Sequence, residues 1–301
     1  MNRVGGNSAT ILDLDNPATW ESAFLPLMQK PEVQEVMRIC RSQPYGEALL
    51  GQLEAGPEGV EDSAFEQVQK LCVELLFSRF THVIACHGCR VADPVDYLSK
   101  GLLRSDPHEL VANLIRCATE MEEQIRTAAD DLGTGYFQWN RGTVGFLLSQ
   151  RWAIGNRTHY SYGSELIQGI IHRVGPELAH RYVLTGRPSL IRCRIPVEWI
   201  RDNSLTEGTL QTYATKPLAK LILDELLPSQ DDEPIGTNGG FRLARDIPPD
   251  LIEAIIDMSG VVDDASWIRS LEVKPSMGKV DWELVNGVLE IELPKGGEGT
   301  A

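Results

Sequence analysis

The chain has 301 residues and a net charge of −15, from 43 acidic against 28 basic side chains. That balance excludes a broad nucleic-acid footprint, which rests on clustered Lys and Arg. Hydrophobic residues at 42% and charged residues at 24% are ordinary for a soluble globular protein, and a chain this long buries about 70–75% of its unfolded surface, enough for one large core or two modest ones.

The amino end carries no apolar core of signal-peptide length, and no stretch approaches the ~20 apolar residues of a membrane helix. The expectation is a cytoplasmic chain whose cysteines are reduced. The nearest thing to a basic groove is the stretch 141–157, with Arg141, Arg151 and Arg157 and no acid.

Taken in order, Pro31 opens a helix whose apolar face is Val33, Val36, Met37 and Cys40. The stretch 53–61 breaks it. Ser63 and Glu66 then form a capping box, and Phe65, Val68, Leu71, Cys72, Leu75 and Leu76 make a second helical stripe up to Phe80. A short strand, Val83–Cys86, follows and stops at His87-Gly88-Cys89-Arg90. After Gly101, Ser105-Asp106-Pro107 starts a long helix through Leu110, Leu114, Cys117, Met121 and Ile125, which the run Asp130–Gly135 ends.

The texture then changes. The Gly-punctuated apolar run 142–149 predicts a buried strand. Gly163-Ser164 opens a helix with Leu166, Ile167, Ile170, Ile171 and Val174 on one face. Ser189–Ile195 alternates as a strand, and Lys216–Leu227 forms a compact helix. The acidic, Gly-rich stretch 229–240 is a surface loop. Phe241–Ile247 reads as a strand and Pro248-Pro249-Asp250 as the opening of a helix over 250–258. Trp267–Val273 and Val288–Leu293 read as further strands. The predicted class is α+β: a mostly helical region over 1–80, then a domain over 81–301 with a split, short-stranded mixed β core.

Six cysteines lie at 40, 72, 86, 89, 117 and 193. Cys86-x-x-Cys89 lacks a second ligand pair at zinc spacing. A haem attachment needs His where Arg90 stands, and a thioredoxin-type motif needs a helix opening at the first Cys. These are read as structural thiols. No Gly-x-Gly-x-x-Gly follows a strand, and there is no P-loop.

Three segments together resemble the ADP-ribosyltransferase fold, in its poly(ADP-ribose) polymerase and RNA 2′-phosphotransferase branches. They are Cys86-His87-Gly88-Cys89-Arg90 with the following Tyr97-Leu98-x-x-Gly101-Leu102, the Gly-rich run 142–149 with the stretch 160–174, and 241–252. The resemblance spans roughly residues 81–260. It implies NAD as substrate, with His87 on its ribose and the Gly88 backbone on the nicotinamide amide. Tyr160 or Tyr162 would stack on the nicotinamide ring. Cofactor-binding residues would then be His87, Gly88, Arg90, Tyr160, Tyr162 and Ser164, with Arg90 suited to a diphosphate by its planar fork.

One departure is plain. The family's catalytic Glu stands near Gly239-Gly240, where this chain has none, so the carboxylate that stabilises oxocarbenium-like charge must come from elsewhere. Glu165, beside the tyrosines and after a Gly-Ser turn, is favoured over Glu233. The implied activity is ADP-ribosyl transfer with nicotinamide release onto a protein or nucleic-acid acceptor, with a catalytic set of Glu165, His87 and Tyr160. By analogy of fold alone, a helical addition to such a core fits a bacterial toxin or phage-defence effector. The alternative is a catalytically inactive binding module on the same scaffold.

Overall fold

The structure, a computed structural model, describes residues 10–31, 33–34, 64–140, 142–150, 162–201, 240–272, 283–285 and 288–290. Its strands are β1 (Ile11–Leu12), β2 (His82–Val91), β3 (Val144–Leu147), β4 (Arg187–Pro196), β5 (Gly240–Leu243) and β6 (Ile252–Asp257), with a separate hairpin of β7 (Glu283–Val285) and β8 (Val288–Glu290). The helices are α1 (Glu21–Met28), α2 (Ala64–Arg79), α3 (Pro94–Lys100), α4 (Pro107–Cys117), α5 (Glu122–Asn140), α6 (Glu165–Val174), α7 (Pro176–Val183), α8 (Val197–Arg201) and α9 (Asp264–Glu272). The α+β class holds.

One open sheet of six strands runs in the order β5-β3-β2-β4-β6, with β1 joining β2 off that path. Every pairing along the path is antiparallel, and β1 alone runs parallel to its neighbour. β2 and β4 pair along ten positions, from His82↔Pro196 to Val91↔Arg187. On the other side β2 meets β1 at Ile11↔His82 and Leu12↔Val83, and β3 at Cys86↔Leu147.

Strand alternation sorts the side chains into two layers. Val83, Ala85 and Val91 of β2 join Ile191, Cys193 and Ile195 of β4, Val144 and Phe146 of β3, and Phe241 and Leu243 of β5. Phe24 and Leu27 of α1 and Leu76 of α2 close that core, so the described part of residues 10–80 packs into the same core as the sheet. On the opposite face Leu147, Leu190 and Met258 form a small cluster. Beside it lies a helical layer built from α4, α5, α6, α7 and α9.

Several local expectations hold and have visible causes. Asp106 caps α4 by accepting from the His108 amide at 2.9 Å, with Pro107 at the first position. Ser164 caps α6 through the Ile167 amide. Gly101 ends α3 at φ +81, and a Cβ there would collide with the Ile247 carbonyl, the partner of the Leu102 amide.

Four expectations are corrected. The strand expected to stop at Cys86 continues through Val91, because β4 pairs with it to that point. The long helix from Pro107 is broken: α4 ends at Cys117, Ala118 leaves helical geometry at φ −148, and a 3-10 turn at Thr119–Met121 leads into α5. The helix expected over 250–258 is a 3-10 turn, Pro249–Leu251, followed by strand β6. The strand expected at Trp267–Val273 is helix α9. The helix Lys216–Leu227, the remainder of the Pro31 helix, and Arg141, Arg151 and Arg157 lie outside the described residues. Among the described residues no helix is long and apolar enough to cross a membrane.

Candidate functional site

His87 stands in the middle of the sheet, where the pairing of β2 with β3 is reduced to the one position Cys86↔Leu147. Its Nδ1 lies 2.8 Å from the Gly145 carbonyl of β3. A carbonyl only accepts, so Nδ1 carries the proton and a neutral ring leaves Nε2 as an acceptor. Burial lowers the His87 pKa below its ordinary 6.5, and the Gly145 hydrogen bond opposes that only in part. The ring sits edge-on to Phe146 at 6.1 Å, and Phe146 stacks on Phe241 at 5.4 Å. His87 thus opens a row, His87-Phe146-Phe241, that faces the apolar core.

Gly88 lies on the other face. The register set by Cys86↔Leu147 carries it toward Gly145, so two glycines lie side by side in the sheet surface. A Cβ added to Gly145 would meet no atom of the described residues within 4 Å. The position beside it is Arg242, which β5 places opposite Gly145. The Arg242 guanidinium donates to both Glu165 oxygens at 3.4 and 3.5 Å, and each side chain is 22% exposed.

Glu165 reaches this position because Gly163, at φ +92, turns the chain so that Ser164 can cap α6. A Cβ on Gly163 would strike the Tyr182 hydroxyl. The Ser164 hydroxyl is therefore engaged as a cap. Tyr162 is turned toward α9: its ring stacks on Trp267 at 4.2 Å and 13°, and its hydroxyl donates to the Asp263 carbonyl at 3.4 Å. Tyr160 and Glu233 lie outside the described residues.

Arg90, three residues from His87 on the same strand, points to the opposite face from it. Its Nη1 and Nη2 donate to the two Asp264 oxygens at 3.0 and 2.8 Å. Nε and Nη2 also donate to the carbonyls of Gly186 at 3.1 Å and Val183 at 2.9 Å. The guanidinium lies 5.9 Å from the centre of the Tyr182 ring, and the side chain is 3% exposed. Arg90 accordingly ties β2 to α7 and α9. The acids nearest to it in sequence, Asp93 and Asp96, serve elsewhere: Asp93 caps α3 and Asp96 pairs with Lys100.

The same face of the sheet carries a second polar group nearer the start of β2. Arg192 donates to Asp13 at 2.8 Å and to Glu253 at 3.2 Å. Asp15 accepts from the Ser149 hydroxyl and the Gln150 amide, both at 2.6 Å. Burial pushes the Cys86 thiol, beside this group, up to about 12, with Asp15 adding to the effect. Burial likewise pushes Cys89 up to about 12, against a hydrogen bond to Tyr97. Burial thus favours the protonated thiol at both positions over a thiolate nucleophile. They point to opposite faces of β2, and among the described residues no group of three or more His, Cys, Asp or Glu side chains stands ready for a metal ion.

The structure therefore brings Gly88, Gly145, Arg242 and Glu165 together on one face, with His87 reaching the same Gly145 backbone from the other. It draws Arg90 and Tyr162 away to α9. Two participants were missed in the sequence, Arg242 and Asp264. Arg242 was visible as the polar position between Phe241 and Leu243 in an alternating run. Comparison of the chain with family models, with curated proteins and with solved structures finds no match.

Proposed function

We propose that this chain is a non-catalytic binding module that takes an NAD-type ligand over the sheet surface at Gly88 and Gly145. The observation that carries it is the division of the candidate residues by the sheet. The His87 ring lies on the core face, while Glu165 lies on the other and is already neutralised by Arg242. A carboxylate so placed does not face the same ligand atoms as His87. This surface offers groups that a ligand could use: glycine backbone, a guanidinium and a carboxylate.

A second function, ADP-ribosyl transfer, is favoured by one observation. The segments that carry the family resemblance lie on adjacent strands: His87-Gly88 on β2, the Gly-rich run on β3, and Phe241 onward on β5. In that case the bond between the ribose anomeric carbon and the nicotinamide nitrogen breaks, its electron pair neutralises the pyridinium, and Glu165 stabilises the charge left on the sugar. A protein or nucleic-acid nucleophile then attacks that carbon and gives up its proton to solvent. Glu165 must first leave Arg242 for this to occur.

Two measurements on the whole chain separate these functions. NAD is expected to raise the melting temperature without releasing nicotinamide. Nicotinamide release by the wild type, abolished in Glu165→Gln and His87→Ala with folding intact, would establish the transferase instead. No shift and no release would remove NAD from both.

A further inference from the structure

We propose that the outer edge of β6 docks an extended segment of another protein, one in which a basic residue precedes an apolar pair, as the next antiparallel strand of the sheet. This surface is separate from the one over Gly88 and Gly145. β6 ends the strand path, with β4 on one side and no strand of the sheet on the other. The ladder shows which groups are left over. The Met258 amide donates to the Pro188 carbonyl at 2.8 Å, so the positions that exchange hydrogen bonds with β4 are Met258, Ile256 and Ala254. Ile255 and Asp257 fall between them and turn their N–H and C=O groups outward. β4 agrees: the Val197 amide donates to the Thr81 carbonyl, which commits its odd-numbered positions to β2 and its even-numbered ones to β6. Among the described residues no hydrogen bond takes up the outward groups of Ile255 and Asp257.

The side chains of the edge define what fits it. Ile255 and Ile256 lie on opposite faces, beside Ile191 and Leu190, and both are only partly buried, so an added strand with apolar residues there covers them. Asp257 is 48% exposed and its partner Arg187 77% exposed. Glu253 and Asp250 add exposed charge of the same sign along the edge, which favours a basic segment, as does the net charge of −15. The register shift between Arg192 and Cys193 leaves Glu253 as an extra residue, and this bulge closes one end of the usable edge. A second copy of the chain fits less well. Pairing two copies about Ile255 sets each Asp257 against the bulge at the other copy's Glu253, and sliding them by two residues brings the two Asp257 side chains together. The outward groups of two residues hold a short strand weakly, and its side chains decide the match.

The test is a fluorescence-anisotropy titration of the full chain against a dye-labelled peptide, Thr-Thr-Lys-Val-Val-Thr-Thr. In antiparallel register its lysine falls opposite Asp257 and its second valine opposite Ile255. Saturable binding is expected. N-methylation of the lysine and the second valine removes the donors aimed at β6 and is expected to weaken binding about tenfold or more. N-methylation of the first valine, whose amide points away, is expected to weaken it far less. Glutamate in place of the lysine is expected to weaken binding several-fold. On the protein side, Ile255→Pro removes an amide that β4 does not use and is expected to abolish peptide binding, with circular dichroism and melting showing that the variant is folded. If Ile255→Pro does not fold, the N-methylated peptides decide.

No saturable binding overturns the docking site. Equal binding of the two singly placed N-methyl patterns, or unchanged binding by a folded Ile255→Pro, puts the peptide elsewhere and overturns it as well. Equal affinity for the glutamate peptide overturns the basic segment as occupant. A dimer in sedimentation equilibrium that Ile255→Pro dissolves gives the edge to a second copy and overturns the heterologous partner.

Discussion

Arg90 and Arg242 occupy two corners of one sheet face, and each meets a carboxylate from a helix that packs there, Asp264 of α9 and Glu165 of α6. At the Arg90 corner, β2, α7 and α9 converge, the guanidinium is 3% exposed, and its fork is matched by Asp264, itself 30% exposed, and two backbone carbonyls. At the Arg242 corner the floor is glycine, the pair is long, and solvent reaches both partners. Both are arginine–carboxylate pairs, yet one is short with its guanidinium buried and the other is longer with both partners partly exposed.

The comparison can be broken at either corner. The largest effect is expected at Arg90: Arg90→Met leaves Asp264 and two carbonyls unpaired and should cost about 3–5 kcal/mol, read as a lowered denaturation midpoint in urea. A loss below about 1 kcal/mol would mean the corner is looser than its geometry. Next comes Gly163, whose turn delivers Glu165 to one corner while its Cα faces Tyr182 of the other. Gly163→Ala meets both a positive φ and the Tyr182 hydroxyl, and should cost on the order of 1–3 kcal/mol in the same measurement.

A smaller effect is expected from His87, which stands between the corners. Its folded pKa lies below the ordinary 6.5, so the unfolded chain binds a proton more readily. The stability this neutral ring provides is present above that unfolded value and is lost as pH falls through 6.5 toward the folded pKa. Stability measured from pH 7 to pH 5 should fall more steeply for the wild type than for His87→Gln, and equal slopes would remove His87 as a contributor. The smallest effect belongs to Arg242→Gln, which removes a long, partly exposed ion pair and is expected to change stability by no more than about 1 kcal/mol. A larger loss would make Arg242 a structural residue like Arg90.

Much of the fold was legible where local rules act alone. Asp106-Pro107 and Gly163-Ser164 announced helix starts because capping is decided within a few residues. The alternation of Ser189–Ile195 announced β4 because one of its faces is buried throughout. Legibility failed where two periods fit one segment. Ile252, Ile255 and Ile256 suit a helix face as well as a strand, and docking against β4 through Leu190↔Ile256 and Ile191↔Ile255 decides for the strand. Trp267, Ile268 and Leu271 were read as a strand, yet their spacing places one face of α9 against Tyr162 and α7. For the site, the His87-Gly88 pair and the Glu165 turn were visible as local features. The partner of Arg90 was not, since Asp264 lies 174 residues along the chain. The division of His87 from Arg90 by the sheet became readable only once β2 was seen to extend past His87.

The position of β2 at the centre of the sheet also sets how the molecule comes together. Its ten-position partner, β4, is made long after it, and β6, which backs β4, later still. During synthesis the apolar run Val83–Cys86 waits with that side unpaired, exposed to neighbouring chains. Closing the intervening loops before any pairing is gained makes refolding slow, on the ms–s scale typical of non-local topologies. Substitutions that weaken β4 should therefore show first as poor yield, before any loss appears in the folded protein.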